Sequence, residues 1–100
     1  MINVEELLKK FESKDEFLLI DVRTSEEYAN GHIKKAILIP YNEVNSMVDI
    51  SKHKEIIVYC RTENRSPIAK NALMQQEFKN VSVLKGGITE WIKNGYPISK

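Results

Sequence analysis

The 100-residue sequence predicts an α/β domain built on a mainly parallel sheet. Two observations lead there. Segments with helical periodicity alternate with short apolar runs of strand length, the order in which parallel sheets are assembled. The runs themselves carry almost no polar interruption, as strands buried on both faces do.

The first helix starts near Val4. Val4, Leu7, Leu8 and Phe11 follow the i, i+3, i+4, i+7 spacing of one apolar face. Asn3 is placed to cap it, with Glu6 three residues on to reach back as in a capping box. Glu5, Lys9, Lys10 and Lys14 read as its solvated face. Phe17-Leu18-Leu19-Ile20 is the first buried run and ends at Asp21. Thr24 and Glu27 repeat the capping signature, so a short helix is expected over Ser25 to Ala29, stopped by Asn30-Gly31.

Ala36-Ile37-Leu38-Ile39 is a second run, closed by Pro40, and a weaker helix is expected from Glu43 to Val48. Ile56-Ile57-Val58-Tyr59 is the strongest strand, four β-favouring residues leading directly into Cys60. Ser66 and Pro67 announce a further helix, serine as N-cap and proline at the first helical position. Ile68, Ala69, Ala72, Leu73 and Gln76 continue it. Val81 to Leu84 reads as a strand, Gly86-Gly87 as a tight turn, and Ile88 to Asn94 as a last helix ending at Gly95, with Trp91, Ile88 and Ile92 packed into the core. The first few residues are a candidate for one more strand.

Composition narrows the function classes. Hydrophobic residues make up 42% and charged residues 29%, an ordinary globular balance, and the length suits one domain over residues 1–100. With 15 Lys and Arg against 14 Asp and Glu, the net charge of +1 offers no basic excess for nucleic acid. No stretch approaches the ~20 consecutive apolar residues of a membrane span. The N-terminus resembles no signal peptide, and a lone cysteine forms no internal disulfide, so a cytoplasmic location with a free thiol is expected. His32 is read as holding a turn and His53 as solvated. With one cysteine and no metal-ligand spacing, neither metal nor cofactor is expected.

Chemistry concentrates after the strongest strand. Cys60-Arg61-Thr62-Glu63-Asn64-Arg65 lies at a strand's carboxyl end, where open α/β sheets bind ligands. Successive loop N–H groups can form an anion-binding nest. The start of the next helix adds partial positive charge, and Arg61 and Arg65 suit the oxygens of a sulfur oxyanion. The same surroundings favour a thiolate at Cys60. A cysteine at a strand end is also an ordinary small buried hydrophobe; the two arginines and the helix start favour the reactive reading.

Four segments resemble the rhodanese family: Leu19-Ile20-Asp21-Val22-Arg23; Glu27 through His32-Ile33 and on from Ala36 to Pro40; Val58-Tyr59-Cys60 with its loop to Arg65-Ser66; and Gly86-Gly87-Ile88 with Trp91, Gly95, Tyr96 and Pro97. The resemblance implies a five-stranded, mainly parallel sheet with helices on both faces. It also implies sulfur transfer without a metal, through a persulfide on Cys60. By position, Arg65 closes the loop, residues 61–65 bind substrate, and Asp21, Arg23 and Ser66 give structural support. The donor would be a small sulfur oxyanion such as thiosulfate and the acceptor a thiol, cyanide or a protein, on a monomer or weak dimer.

One departure stands out. Family loops commonly read Cys-x-x-Gly-x-Arg, and Glu63 occupies the glycine position. Pointing inward it would repel an anionic substrate; pointing outward, the expected pose, it would pair with an arginine. Glu63 is expected to slow or redirect turnover without abolishing persulfide formation. Two rival readings remain, the first because related folds use a similar loop. A cysteine phosphatase or arsenate reductase places five residues between cysteine and arginine, where four stand here. A persulfide carrier or a non-catalytic binding module serving a protein partner is the alternative to a thiosulfate:cyanide-type enzyme.

Overall fold

The computed structural model describes residues 1–46 and 50–100. In chain order its elements are α1 (Val4–Glu12), β1 (Leu18–Asp21), α2 (Ser25–Ala29), β2 (His32–Ile33), β3 (Ile37–Leu38), a 3-10 turn (Val44–Ser46), β4 (Glu55–Tyr59), α3 (Ser66–Gln75), β5 (Asn80–Val83), α4 (Gly87–Lys93) and β6 (Ile98–Ser99). Of the helix expected over Glu43 to Val48, the described part is the 3-10 turn; Val48 lies outside the described residues.

Four strands pair in the order β3-β1-β4-β5, all parallel. A fifth position on the β5 edge is reduced to one residue. Ile2 makes a parallel bridge with Leu84, its N–H donating to the Val83 carbonyl at 3.0 Å and its carbonyl accepting the Lys85 N–H at 2.8 Å. Capping explains the brevity: Asn3 already turns the chain into α1, with its side chain on the Glu6 N–H and the Glu6 carboxylate on its own. The two-residue antiparallel pair of β2 with β6 left no sign in the sequence, because two residues carry no measurable period.

The topology fixes where a site can form. From β1 the chain moves to β3 on one side, and from β4 to β5 on the other. The carboxyl ends of β1 and β4 therefore flank the point where the winding reverses, and connections diverge there to leave a crevice. Cys60 follows β4 at that point.

Alternation along β4 sends its side chains to two cores. Ile56, Val58 and Cys60 face α3 with Ile20, Ala69, Leu73 and Phe78. Ile57 and Tyr59 face the opposite layer of Leu7, Ile33, Leu84, Ile88 and Trp91. Burial on both faces is why the strand reads as an unbroken apolar run. Helix faces follow expectation less closely. Ile92 is 50% and Ile68 53% exposed, because each lies off the stripe that its helix turns inward. Lys10, expected in solvent, is half-buried and pairs with Glu55 at 2.8 Å.

Charge is buried at the end of β1. Asp21 is fully buried, and Arg23 nearly so. Arg23 Nη2 donates to Asp21 Oδ2 at 2.6 Å and to the Gly31 carbonyl at 2.7 Å. Tyr59 Oη donates to the same carboxylate at 2.8 Å and accepts the Ile33 N–H at 3.0 Å. Burial pulls the Arg23 guanidinium down, but the hydrogen bonds and charge of Asp21 outweigh it and the net shift is upward. Burial, reinforced by the Asp21 charge, holds the Tyr59 hydroxyl protonated far above its usual range. Arg23 meets Asp21 locally at the end of β1, while its bond to Gly31 and the two bonds of the Tyr59 hydroxyl join that end to β4 and the start of β2.

Arg23→Ala leaves the Asp21 carboxylate buried without its cation and should cost about 3–5 kcal/mol. Tyr59→Phe removes one donor and strands the Ile33 N–H, and should cost about 1–3 kcal/mol. Urea unfolding of both variants checks the order; equal losses would contradict it.

Candidate active site

Cys60 is a free thiol with no solvent exposure, and it forms the floor of a cavity of about 370 Å³. Arg61, Thr62, Asn64, Arg65 and Thr89 line the rest. The loop is shaped from behind by α4. The Cys60 carbonyl accepts the Ile88 N–H at 3.0 Å, and the Arg61 carbonyl accepts the Thr89 N–H at 3.1 Å. A Cβ on Gly87 would meet the carbonyl oxygens of Cys60, Arg61 and Thr62 at 2.5–2.6 Å. Three consecutive carbonyls thus converge on a glycine with φ +59°, and no other residue fits there.

In a planar trans peptide the N–H points opposite to the C=O. Turning the carbonyls of residues 60–62 onto α4 therefore aims the N–H groups of residues 61–63 the other way. Among the described residues, no backbone N–H of residues 61–65 has a protein acceptor. The loop presents unspent donors, the arrangement an anion requires.

The two arginines part company. Arg65 is bound bidentately by Glu27, Nη1 to Oε1 at 2.7 Å and Nη2 to Oε2 at 3.0 Å. The same Oε1 also accepts from the Thr24 N–H and hydroxyl, both at 3.1 Å, so the capping box of α2 doubles as the mooring of the loop. The hydrogen bonds from Arg65 hold the Glu27 carboxyl down from 4.5 to about 2, against the opposing effect of burial. Those bonds also raise the Arg65 guanidinium, helped by the charges of Glu27 and Cys60. Arg61 is exposed on the cavity wall and has no ion-pair partner among the described residues.

Ser66 is not the N-cap of α3. Arg65 occupies that position without a side-chain cap, and Ser66 is already helical. Its buried hydroxyl instead accepts from the Cys60 thiol at 3.4 Å. Once the sulfur is ionised the bond reverses, with the serine O–H donating. Glu63 lies outside the cavity lining, and its Oε2 accepts the Gly86 N–H at 2.8 Å. The pose is outward, with a backbone N–H as partner where an arginine was expected. Asp21 and Arg23 lie in their own knot, also outside the lining. His32 Nδ1 meets the Tyr28 carbonyl at 3.0 Å while its ring stacks on Tyr28 at 3.8 Å, and His53 is exposed.

Three contributors escaped the sequence reading of the site: Glu27, Thr89 and Gly87. Glu27 and Gly87 stood inside segments already singled out, but the first looked like a plain helix cap and the second like a plain turn. Thr89 carries no local signal at all.

A parallel α/β sheet here carries a thiol beneath a loop of free N–H donors, an arrangement suited to holding an anion beside the sulfur. The chain belongs to the rhodanese-like family, whose domain model matches residues 3–94. A protein named sulfurtransferase from Allochromatium vinosum is 37% identical over 98 residues, covering 97% of this chain and 92% of its own length. A tRNA uridine(34) hydroxylase from Wigglesworthia glossinidia brevipalpis is 35% identical over 96 residues, but the match takes in 30% of that protein's length. Among solved structures, the Alr3790 protein from Anabaena sp. superposes with a TM-score of 0.91 at 29% identity, over 97% of this chain and 80% of that one. Among the described residues, no helix is long and apolar enough to cross a membrane.

Because Glu27 has a lowered pKa, the stabilisation from its pair with Arg65 is present above pH 4.5 and is lost as pH falls towards about 2. Carbon-detected NMR should place the Glu27 midpoint near that lower value, and Arg65→Ala should return it towards 4.5. Gly87→Ala should destabilise by at least about 1–2 kcal/mol from its left-handed backbone alone. A melting temperature matching the wild type would contradict the crowding behind the loop.

Proposed function

We propose that the chain is a sulfurtransferase that moves sulfane sulfur from a donor such as thiosulfate to a thiol or cyanide through a persulfide on Cys60. The observation that carries this reading is the thiol on the cavity floor, under a loop whose carbonyls are held back and whose N–H groups are free.

In the first half-reaction the Cys60 thiolate attacks the outer sulfur of thiosulfate. A new S–S bond forms to Cys60 as the donor's S–S bond breaks, and sulfite leaves with the electron pair. The terminal persulfide sulfur carries the negative charge, which the inward N–H groups of residues 61–63 would stabilise, while the Ser66 hydroxyl stays beside the inner sulfur of Cys60. Arg61 offers its unpaired guanidinium to the departing oxyanion, with Thr62, Asn64 and Thr89 on the rim. Arg65 acts as a tethered cation whose charge Glu27 already balances. In the second half-reaction cyanide or a thiolate attacks the terminal sulfur. The product leaves as thiocyanate or a new persulfide, and the Cys60 thiolate is restored.

Intact mass after incubation with thiosulfate should show one added sulfur atom on the wild type, none on Cys60→Ser, and its removal by cyanide. No gain on the wild type would sink the reading. Arg61→Ala should raise the thiosulfate concentration for half-maximal loading about tenfold, the loss expected for one charge-assisted hydrogen bond, while leaving the final extent of loading unchanged.

A further inference from the structure

Glu63 stands at the loop position where the family commonly carries glycine, yet its backbone avoids the left-handed region. Among the described non-glycine residues, Lys14, Lys35 and Glu77 are the ones that enter it. Its carboxylate reaches behind the loop to the Gly86 N–H at 2.8 Å. It lies in a second depression with Asn3, Glu5, Lys85, Glu90 and Asn94, on the other side of the loop from the thiol.

Gly86 is the N-cap residue of α4, and the next residues already grip the loop through their backbone. Ile88 and Thr89 hold the first two loop carbonyls, and Gly87 crowds the first three. Beyond Arg61 no backbone bond to α4 continues the series among the described residues. Glu63 extends the attachment two positions further with a side chain. A glycine there would offer no acceptor and would widen the conformational freedom of this stretch.

We propose that Glu63 is a positioning residue. By accepting the Gly86 N–H it clamps the middle of the loop to α4, and so keeps the neighbouring N–H groups turned towards the anion that reacts at Cys60. The substitution at the glycine position then assists the chemistry where slowed turnover was expected from sequence. The inference rests on the sulfurtransferase reading only for its physiological meaning; the clamp itself concerns how the thiol site receives any anion.

The test uses the full chain with Glu63→Ala and Glu63→Gln. Cys60 alkylation by iodoacetate, an anion, is compared with alkylation by neutral iodoacetamide, and sulfur loading is followed against thiosulfate concentration. In Glu63→Ala the iodoacetate-to-iodoacetamide rate ratio should fall about fivefold to tenfold, the scale of one lost hydrogen bond. Half-maximal loading should need correspondingly more thiosulfate, with the final extent retained. Glu63→Gln keeps an acceptor for the Gly86 N–H and should recover most of both losses. Should Glu63→Ala unfold early, Glu63→Asp, one methylene too short to reach Gly86, carries the same test. A wild-type ratio and wild-type thiosulfate dependence in the alanine variant would overturn the proposal, as would a glutamine variant no better than alanine. If the wild type takes no sulfur but the ratio still falls in Glu63→Ala and recovers in Glu63→Gln, the clamp stands and the sulfurtransferase reading fails.

Discussion

A loop that offers its N–H groups to a cavity must put its carbonyls somewhere, and here they are pressed against the start of α4. The peptide plane makes the two demands one. Gly87 permits the approach because it has no Cβ, and the Ile88 and Thr89 N–H groups satisfy two of the carbonyls that arrive. The helix spends its otherwise unpaired N-terminal donors on the loop, and both partners gain. Much of the site's character follows from that contact: the direction of the donors, the depth of the thiol, and the placing of Thr89 on the rim.

The buried knot of Asp21, Arg23 and Tyr59 supports the arrangement from below. Tyr59 is the residue before Cys60, and its hydroxyl is fixed by Asp21 and Ile33. Alternation along β4 then sends the Cys60 side chain to the opposite face, towards α3 and Ser66. A buried ion pair is weak evidence for net stability. Its geometric effect is clearer: it ties the ends of β1 and β4 to the start of β2 at the point where the sheet's winding reverses.

The parts of the fold legible in the sequence are those with local physics behind them. Both capping boxes could be read from residues three apart, because each is closed by its own side chains. The central strand could be read because burial on both faces demands an unbroken apolar run. Cys60 and its loop could be placed because they follow that strand. What stayed hidden depends on contacts between distant segments. Ser66 looks like a cap by type, and its turn towards Cys60 is decided by the packing of α3. The outward pose of Glu63 was legible from the need for inward N–H groups, but its partner, a backbone N–H 23 residues away, leaves no pattern. Glu27 was correctly read as a cap and carries a second task that no local rule describes.

The mooring of the loop has a temporal side. Its far end is held by Glu27, 38 residues upstream of Arg65, and its middle and back by residues 86–89 downstream. A polypeptide lengthening from its N-terminus reaches Cys60 well before it reaches α4. During that interval nothing from α4 is available to orient the peptide groups above the thiol. The cradle therefore cannot take its final shape until residues 86–89 have joined it.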